Sequence, residues 1–304
     1  MVYTITFSPS IDYLVYLRDE FRPGAMNRMQ KDAFYYGGKG INVSQVLLGL
    51  GVDNTALGFT AGFTGREIED GLNRLGCKTD FVHLSRGHSR INIKLKAGEE
   101  SEINATSPDV NGEELNALYE KLSGLSEEDI LVIAGAVPEN LPDDLIAYCI
   151  EHLPSDKIRV VVDTSGDALF NILPYHPFLI KPNHIELSEL FNEEFNPSDR
   201  EGIAKAAGLL QQKGARNVLV SLASEGALLV TETGQMFARE APHGIVKNSV
   251  GSGDSMVAGF IAGYLERSDY EDAFIMGLAA GSASAFIEGL ASGDEIRQMY
   301  RLLR

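Results

Sequence analysis

Residues 130–163 read ILVIAGAVPENLPDDLIAYCIEHLPSDKIRVVVD. Two short apolar runs, Ile130–Ala134 and Val160–Asp163, enclose a segment of helical period around residues 142–152. Neither run alternates apolar with polar residues, so both faces of each strand require cover. The pattern continues with strands at Phe178–Ile180 and Val218–Ser221, and with amphipathic helices around 112–123, 183–192 and 199–214. Apolar strands alternating with helices predict a parallel sheet covered on both faces, a doubly wound α/β body.

The first hundred residues break this rhythm. Tyr13–Leu17, Ala33–Tyr36 and Ile91–Leu95 look like strands, and in the last Ile91, Ile93 and Leu95 alternate with Asn92, Lys94 and Lys96. One face of that strand is therefore polar and basic. A small sheet acting as a lid, with strands drawn from about 12–36 and 88–105, accounts for this. Strands that merely extend the main sheet are the alternative. No linker separates a second domain, so residues 1–304 are expected to form one unit. A two-faced lid sheet often buries one face against a partner, which makes a homodimer plausible.

Of the 304 residues, 44% are apolar and 23% charged, the balance of an ordinary folded protein. The N-terminus alternates like a strand and has no leader pattern, and no run of 18 apolar residues exists. Cys77 and Cys149 are too few for a disulfide framework and are read as reduced, buried thiols of a cytoplasmic protein. Six scattered histidines make no zinc motif. The net charge of −17 repels nucleic acid and anionic membranes, so neither is an expected partner. A phosphorylated substrate would need helix N-termini and a few placed cations to overcome that field.

Such devices can be found. Gly37-Gly38-Lys39-Gly40-Ile41-Asn42 opens a helix near Lys39; its glycines would let a ligand reach backbone amides, and Asn42 could pair with hydroxyls. An ordinary strand-to-helix turn reads the same way. Asp12, just past the first strand, could accept two vicinal sugar hydroxyls or be a solvated turn acid. Arg90 suits a phosphate, with Asn92 and Lys94 on its face, although a solvated basic strand would look alike. In Lys181-Pro182-Asn183-His184-Ile185-Glu186, Asn183 can cap a helix with Glu186 three positions on. Together they could instead hold waters around Mg²⁺ on a nucleotide phosphate.

Asn248-Ser249-Val250-Gly251-Ser252-Gly253-Asp254 precedes a helix that begins at about Gly253. The amides of Gly251, Ser252, Gly253 and Asp254 are expected to be free at its N-terminus, where they would stabilise a phosphoryl group in transfer. Asp254 would then take the proton of the attacking hydroxyl. A helix N-terminus should depress its pKa, leaving a weak but well-placed base. Simple helix capping by Asp254 fits the spacing equally.

Taken together, GGKGIN, KPNHIE and VGSGDS in this order resemble the ribokinase-like (PfkB) carbohydrate kinases, over the whole chain. The resemblance implies a three-layer α/β/α fold with a mostly parallel central sheet and a β-sheet lid, through which many members dimerise. It also implies ATP with Mg²⁺, and phosphotransfer to an alcohol group of a sugar. Carried over by position, Asp254 matches the base and Gly251, Ser252 and Gly253 the anion hole. Asp12, Gly37, Gly38, Lys39, Asn42, Arg90 and Asn92 match the sugar side. Lys181, Asn183 and Glu186 lie near the ATP phosphates, with Glu186 toward the metal through water. Ser221, Ala223, Glu225 and Gly226 match a nucleotide segment, and Ala280 and Ser284 the adenine side.

Within the family, GGKGINV and SRINIKL at 89–95 are most similar to the bacterial 1-phosphofructokinases, with tagatose-6-phosphate kinases next. Fructose 1-phosphate phosphorylated at its 6-hydroxyl is the expected reaction. A 6-phosphofructokinase, an uncharged-sugar or nucleoside kinase and a silent sugar-phosphate sensor are the alternatives. The chain departs from the family pattern at Ala223, where glycine is usual, and at Ala134-Gly135-Ala136-Val137-Pro138, where SGSLP is common and two hydroxyls are lost. Asn248 and Val250 replace the Asp and Thr of members that bind a monovalent cation, so K⁺ is not expected.

Overall fold

The computed structural model describes residues 1–97 and 99–304. In chain order its strands are β1 Val2–Thr6, β2 Ser10–Leu17, β3 Met29–Gly37, β4 Asn54–Ala61, β5 Lys78–Thr79, β6 Val82–Leu84 and β7 Arg90–Ala97. There follow β8 Glu99–Ile103, β9 Ile130–Ala134, β10 Arg159–Asp163, β11 Leu179–Ile180, β12 Asn217–Ser221, β13 Ala227–Val230 and β14 Met236–Arg239. The helices are α1 Lys39–Gly49, α2 Gly62–Leu75, α3 Gly112–Ser123, α4 Leu145–Glu151 and α5 Asp167–Ile172. The later ones are α6 His184–Phe191, α7 Arg200–Gln212, α8 Ser252–Arg267, α9 Tyr270–Ala285 and α10 Gly293–Leu303.

Among the described residues ten strands make the main sheet, in the order β14-β13-β12-β11-β10-β9-β1-β4-β5 with β6 beside β4. All its pairings are parallel except those of β12 with β13 and β13 with β14. The apolar runs work as anticipated: along β9, Leu131 and Ile133 enter the core on one face, Ile130 and Val132 that on the other. Helices α3, α4, α5 and α7 cover the first face, and α1, α8, α9 and α10 the second. The fold is thus the expected three-layer α/β/α sandwich. Each such fully buried aliphatic side chain contributes about 1.5–3 kcal/mol.

The lid strands do not extend the main sheet. They form a separate sheet in the order β3-β2-β7-β8, within the expected ranges; residue 98, inside one of them, lies outside the described residues. Ser10 pairs with Arg90 and Asp12 with Asn92 across β2 and β7, so these four side chains share one face. That polar face turns toward the body. The opposite face leaves Phe34, Ile91 and Ile103 exposed at 52%, 40% and 62%.

Helix α4 starts at Leu145 rather than 142, because Pro142–Asp144 form a turn in which the Leu145 N–H bonds the Pro142 carbonyl.

Candidate active site

The strand order reverses between β1 and β9, the switch point where ligands of open α/β sheets collect beyond the strand C-termini. A cleft of about 1000 Å³ opens there. It is walled by the segments after β1, β9, β11 and β12, the N-termini of α1 and α8, and the polar face of the lid. Of the predicted site residues, Asp12, Gly38, Lys39, Asn42, Arg90, Asn92, Lys181, Asn183 and Glu186 line it. So do Ser221, Ala223, Gly226 and Gly251 through Asp254.

Asp254 is 5% exposed and does not cap its helix. Gly251 is the N-cap, at φ 82°, a left-handed conformation in which any other side chain would be strained; an added Cβ would also lie 2.8 Å from Leu290. The N–H groups of Gly251, Gly253 and Asp254 have no acceptor among the described residues, whereas that of Ser252 bonds the Ser249 carbonyl at 3.3 Å. Three of the four expected amides are therefore open to an anion. Nζ of the buried Lys181 sits where a Cβ on Gly253 would come within 3.0 Å, adding a full charge to the helix terminus.

The expected depression of Asp254 is reversed. Burial pushes its carboxyl up, the neighbouring Asp163 adds to the rise, and Asn42, Lys39 and Lys181 offset only part, leaving it at about 6. Desolvation outweighs the helix terminus because the ionised carboxylate has lost most of its water. It is a stronger base than the spacing implied.

Asp163, at the end of β10, escaped the sequence reading. It is 1% exposed, with Lys181 Nζ 3.3 Å from one oxygen and Lys39 Nζ 3.6 Å from the other. Neither oxygen has a hydrogen-bond partner among the described residues. Its signal was the acid closing the run Val160-Val161-Val162-Asp163, at the C-terminal edge of a central strand. Burial lowers the Lys39 ammonium, but Asp163, Asp254 and Glu186 outweigh it, so Lys39 stays charged.

The α1 mouth differs from expectation. The missing Cβ atoms of Gly38 and Gly40 make room for Thr6 and the Ile5 carbonyl, and the Ile41 N–H donates to Thr6 Oγ1 at 3.0 Å. These glycines serve close packing on β1. Asn42 donates to Asp254 Oδ2 at 2.7 Å. Asp12 belongs to β2, and its Oδ1 already accepts from Ser10 Oγ and Asn92 Nδ2, both at 2.8 Å. Only Oδ2 is left for a ligand. Arg90 donates through Nη2 to the Ser8 carbonyl at 2.7 Å; burial lowers its pKa and Asp12 opposes that. Lys94 shares the face but pairs with Glu102 at 3.2 Å and borders a neighbouring hollow, as does Gly37.

On the opposite wall, Asn183 and Glu186 complete a capping box, with 2.8 Å bonds from the Ile185 and Glu186 N–H groups to Asn183 Oδ1 and from the Asn183 N–H to Glu186 Oε2. Glu186 keeps Oε1 for other work. Glu225 lies outside the cleft, its carbonyl bonded by Arg200 and its carboxylate by Ser198. Ala280 and Ser284 are also outside: they occupy the face of α9 that packs on α8, where Ser284 meets Ser255 at 2.8 Å. Leu278, Gly281, Ser282 and Ala285 line the cleft instead, the other side of the same helix.

A cleft with an open helix N-terminus, a buried acid of raised pKa and three cations suits transfer of a phosphoryl group to a hydroxyl. Among known proteins, the chain is 43% identical over 299 residues to a 1-phosphofructokinase of Bacillus subtilis, covering 98% of this chain and 97% of the relative. It is 36% identical over 298 residues to a D-tagatose-1-phosphate kinase of Bacillus licheniformis, covering 98% and 97%. The crystal structure of Escherichia coli phosphofructokinase-2 in complex with fructose-6-phosphate superposes with a TM-score of 0.90 at 30% identity, covering 99% and 98%. The model of the pfkB family carbohydrate kinases matches residues 6–297, and the chain belongs to that family.

Proposed function

We propose that this kinase phosphorylates fructose 1-phosphate at its 6-hydroxyl, with ATP and Mg²⁺, giving fructose 1,6-bisphosphate and ADP. The observation that carries the reading is one cleft holding both Asp254 with the open α8 terminus and, on the lid side, the half-buried guanidinium of Arg90. The name of the B. subtilis relative points the same way. Asp254 receives the 6-hydroxyl proton as the oxygen attacks the γ-phosphorus. The N–H groups of Gly251, Gly253 and Asp254 and the Lys181 ammonium take up the charge spread over the transferring oxygens. Asp12 Oδ2 orients a sugar hydroxyl, and Arg90 holds the substrate phosphate. Ser221, Ala223, Gly226, Ser282 and Ala285 form the nucleotide wall.

Glu186, with one oxygen left over from its cap, and Asp163, whose oxygens face Lys181 and Lys39 but accept no hydrogen bond among the described residues, would hold a hydrated divalent cation. When bound, Mg²⁺ neutralises the ATP phosphates. The whole chain would act as one kinase unit in the cytoplasm, and as a homodimer through the apolar face of the lid. A monomeric mass in light scattering at micromolar concentration would count against the dimer.

The second reading, D-tagatose 1-phosphate as substrate, is favoured by the B. licheniformis relative. One coupled ADP-release assay separates these. Fructose 1-phosphate, tagatose 1-phosphate, tagatose 6-phosphate, fructose 6-phosphate and fructose are compared by kcat/KM. Fructose 1-phosphate is expected to lead; a lead by any other overturns the assignment. No turnover of any would favour a sugar-phosphate sensor.

A further inference from the structure

Residues 104–111 connect β8 of the lid to α3 of the body and cross beside the cleft as a strap. The strap is pinned at three points. The Ala105 N–H donates to Asn92 Oδ1 on the lid at 3.2 Å. Asn140 Nδ2, in the loop after β9, donates to the Pro108 carbonyl at 2.9 Å. Between these pins the Ser107 hydroxyl lies 2.6 Å from that of Ser8.

Ser8 is also the residue whose carbonyl fixes Arg90, and the Arg90 Nε is buried with no partner among the described residues. Ser8, Arg90 and Ser107 line the same cleft as Asp254. The loop across from them, Gly135-Ala136-Val137-Pro138, offers no side-chain donor. A phosphate has three terminal oxygens, and the planar guanidinium fork meets it bidentately, through two of them. Two hydroxyls in mutual contact carry two protons and use one, so the other is free for a ligand.

We propose that Ser107, delivered by the strap, donates to the substrate phosphate held by Arg90 and is a specificity-determining residue for phosphorylated ketoses. This rests on the reading that the substrate is a sugar phosphate. A neutral donor there adds affinity without needing a further buried cation.

The test is steady-state kinetics of Ser107→Ala, Ser107→Thr and Asn140→Ala beside the wild type. Ser107→Ala should raise KM for fructose 1-phosphate about ten-fold, the range for a hydrogen bond to a charged group, with kcat and the KM for ATP nearly unchanged. Ser107→Thr keeps the hydroxyl and should restore most of the affinity. Asn140→Ala removes one of the three pins but leaves the hydroxyl and the other two, and should raise KM clearly less than Ser107→Ala does. If Ser107→Ala matches the wild type, or Asn140→Ala reproduces its effect, the assignment is overturned. A wild type that prefers unphosphorylated fructose overturns the sugar-phosphate reading and this one together. A wild type that prefers fructose 1-phosphate beside a silent Ser107→Ala overturns this one alone.

Discussion

Asn42, on the first turn of α1, donates to Oδ2 of Asp254, on the first turn of α8, at 2.7 Å across 212 positions of chain. The bond ties two glycine-mouthed helices together and aims the carboxylate into the cleft. Asp254→Ala should lower turnover by about a thousand-fold, within the range for loss of a general base, while fructose 1-phosphate binding measured by calorimetry persists. An active variant would mean that the base lies elsewhere.

The same pair sets a pH dependence. Burial and then Asp163 hold Asp254 at about 6, so its basic form disappears as pH falls through that value. A plot of kcat/KM against pH should show an acid limb near 6. The Asn42 hydrogen bond favours the ionised form, so Asn42→Ala should move the limb to higher pH. A limb near 4, the ordinary carboxylate range, would contradict the burial argument.

Stability should show the cost of that base. The native pKa of Asp254 lies above the unfolded value, so between about pH 4 and 6 the native state binds more protons than the unfolded one. Its contribution to stability therefore falls as pH rises through that window. Above it, the ionised form carries the full penalty. Asp254→Asn, which keeps an acceptor for Asn42, should stabilise the protein at pH 7.5 by on the order of 2 kcal/mol, an advantage that fades by pH 4. Equal melting temperatures at pH 7.5 would refute this.

Arg90 distinguishes the two substrates. It touches the lid side of the cleft, away from the nucleotide wall, so Arg90→Ala should raise KM for fructose 1-phosphate by about thirty-fold or more and KM for ATP only slightly. Similar increases for both would remove Arg90 from the phosphate.

Ala223 occupies a left-handed conformation, φ 51°, at the start of the turn Ala223–Glu225. An L side chain there costs roughly 1–2 kcal/mol, part of which glycine gives back as unfolded-state entropy. Ala223→Gly should therefore stabilise the fold by up to about 1 kcal/mol, read by chemical denaturation. A destabilised variant would show that the Ala223 methyl is held by packing on the nucleotide wall.

The apolar runs at 130–134, 160–163 and 218–221 were enough to establish the layered α/β body, because continuous burial on both faces leaves few other arrangements. The glycine mouth before Asp254 and the cap at Asn183 were legible for a similar reason: they are local, and a helix terminus shows in four or five residues. Ionisation and partnership were not. The basic strength of Asp254 depends on burial and on Asp163, which lies ninety-one positions away. The partners of Asn42 and Arg90 depend on which strands become neighbours. Residues 280 and 284 came from the family resemblance by position, which does not say which face of α9 meets the cleft, and the packing of α8 took that face for the core. Sequence determined the elements and the kinds of group they carry; only tertiary structure decided which charges share one dry cleft, since desolvation and Coulomb terms act between atoms close in space rather than in chain.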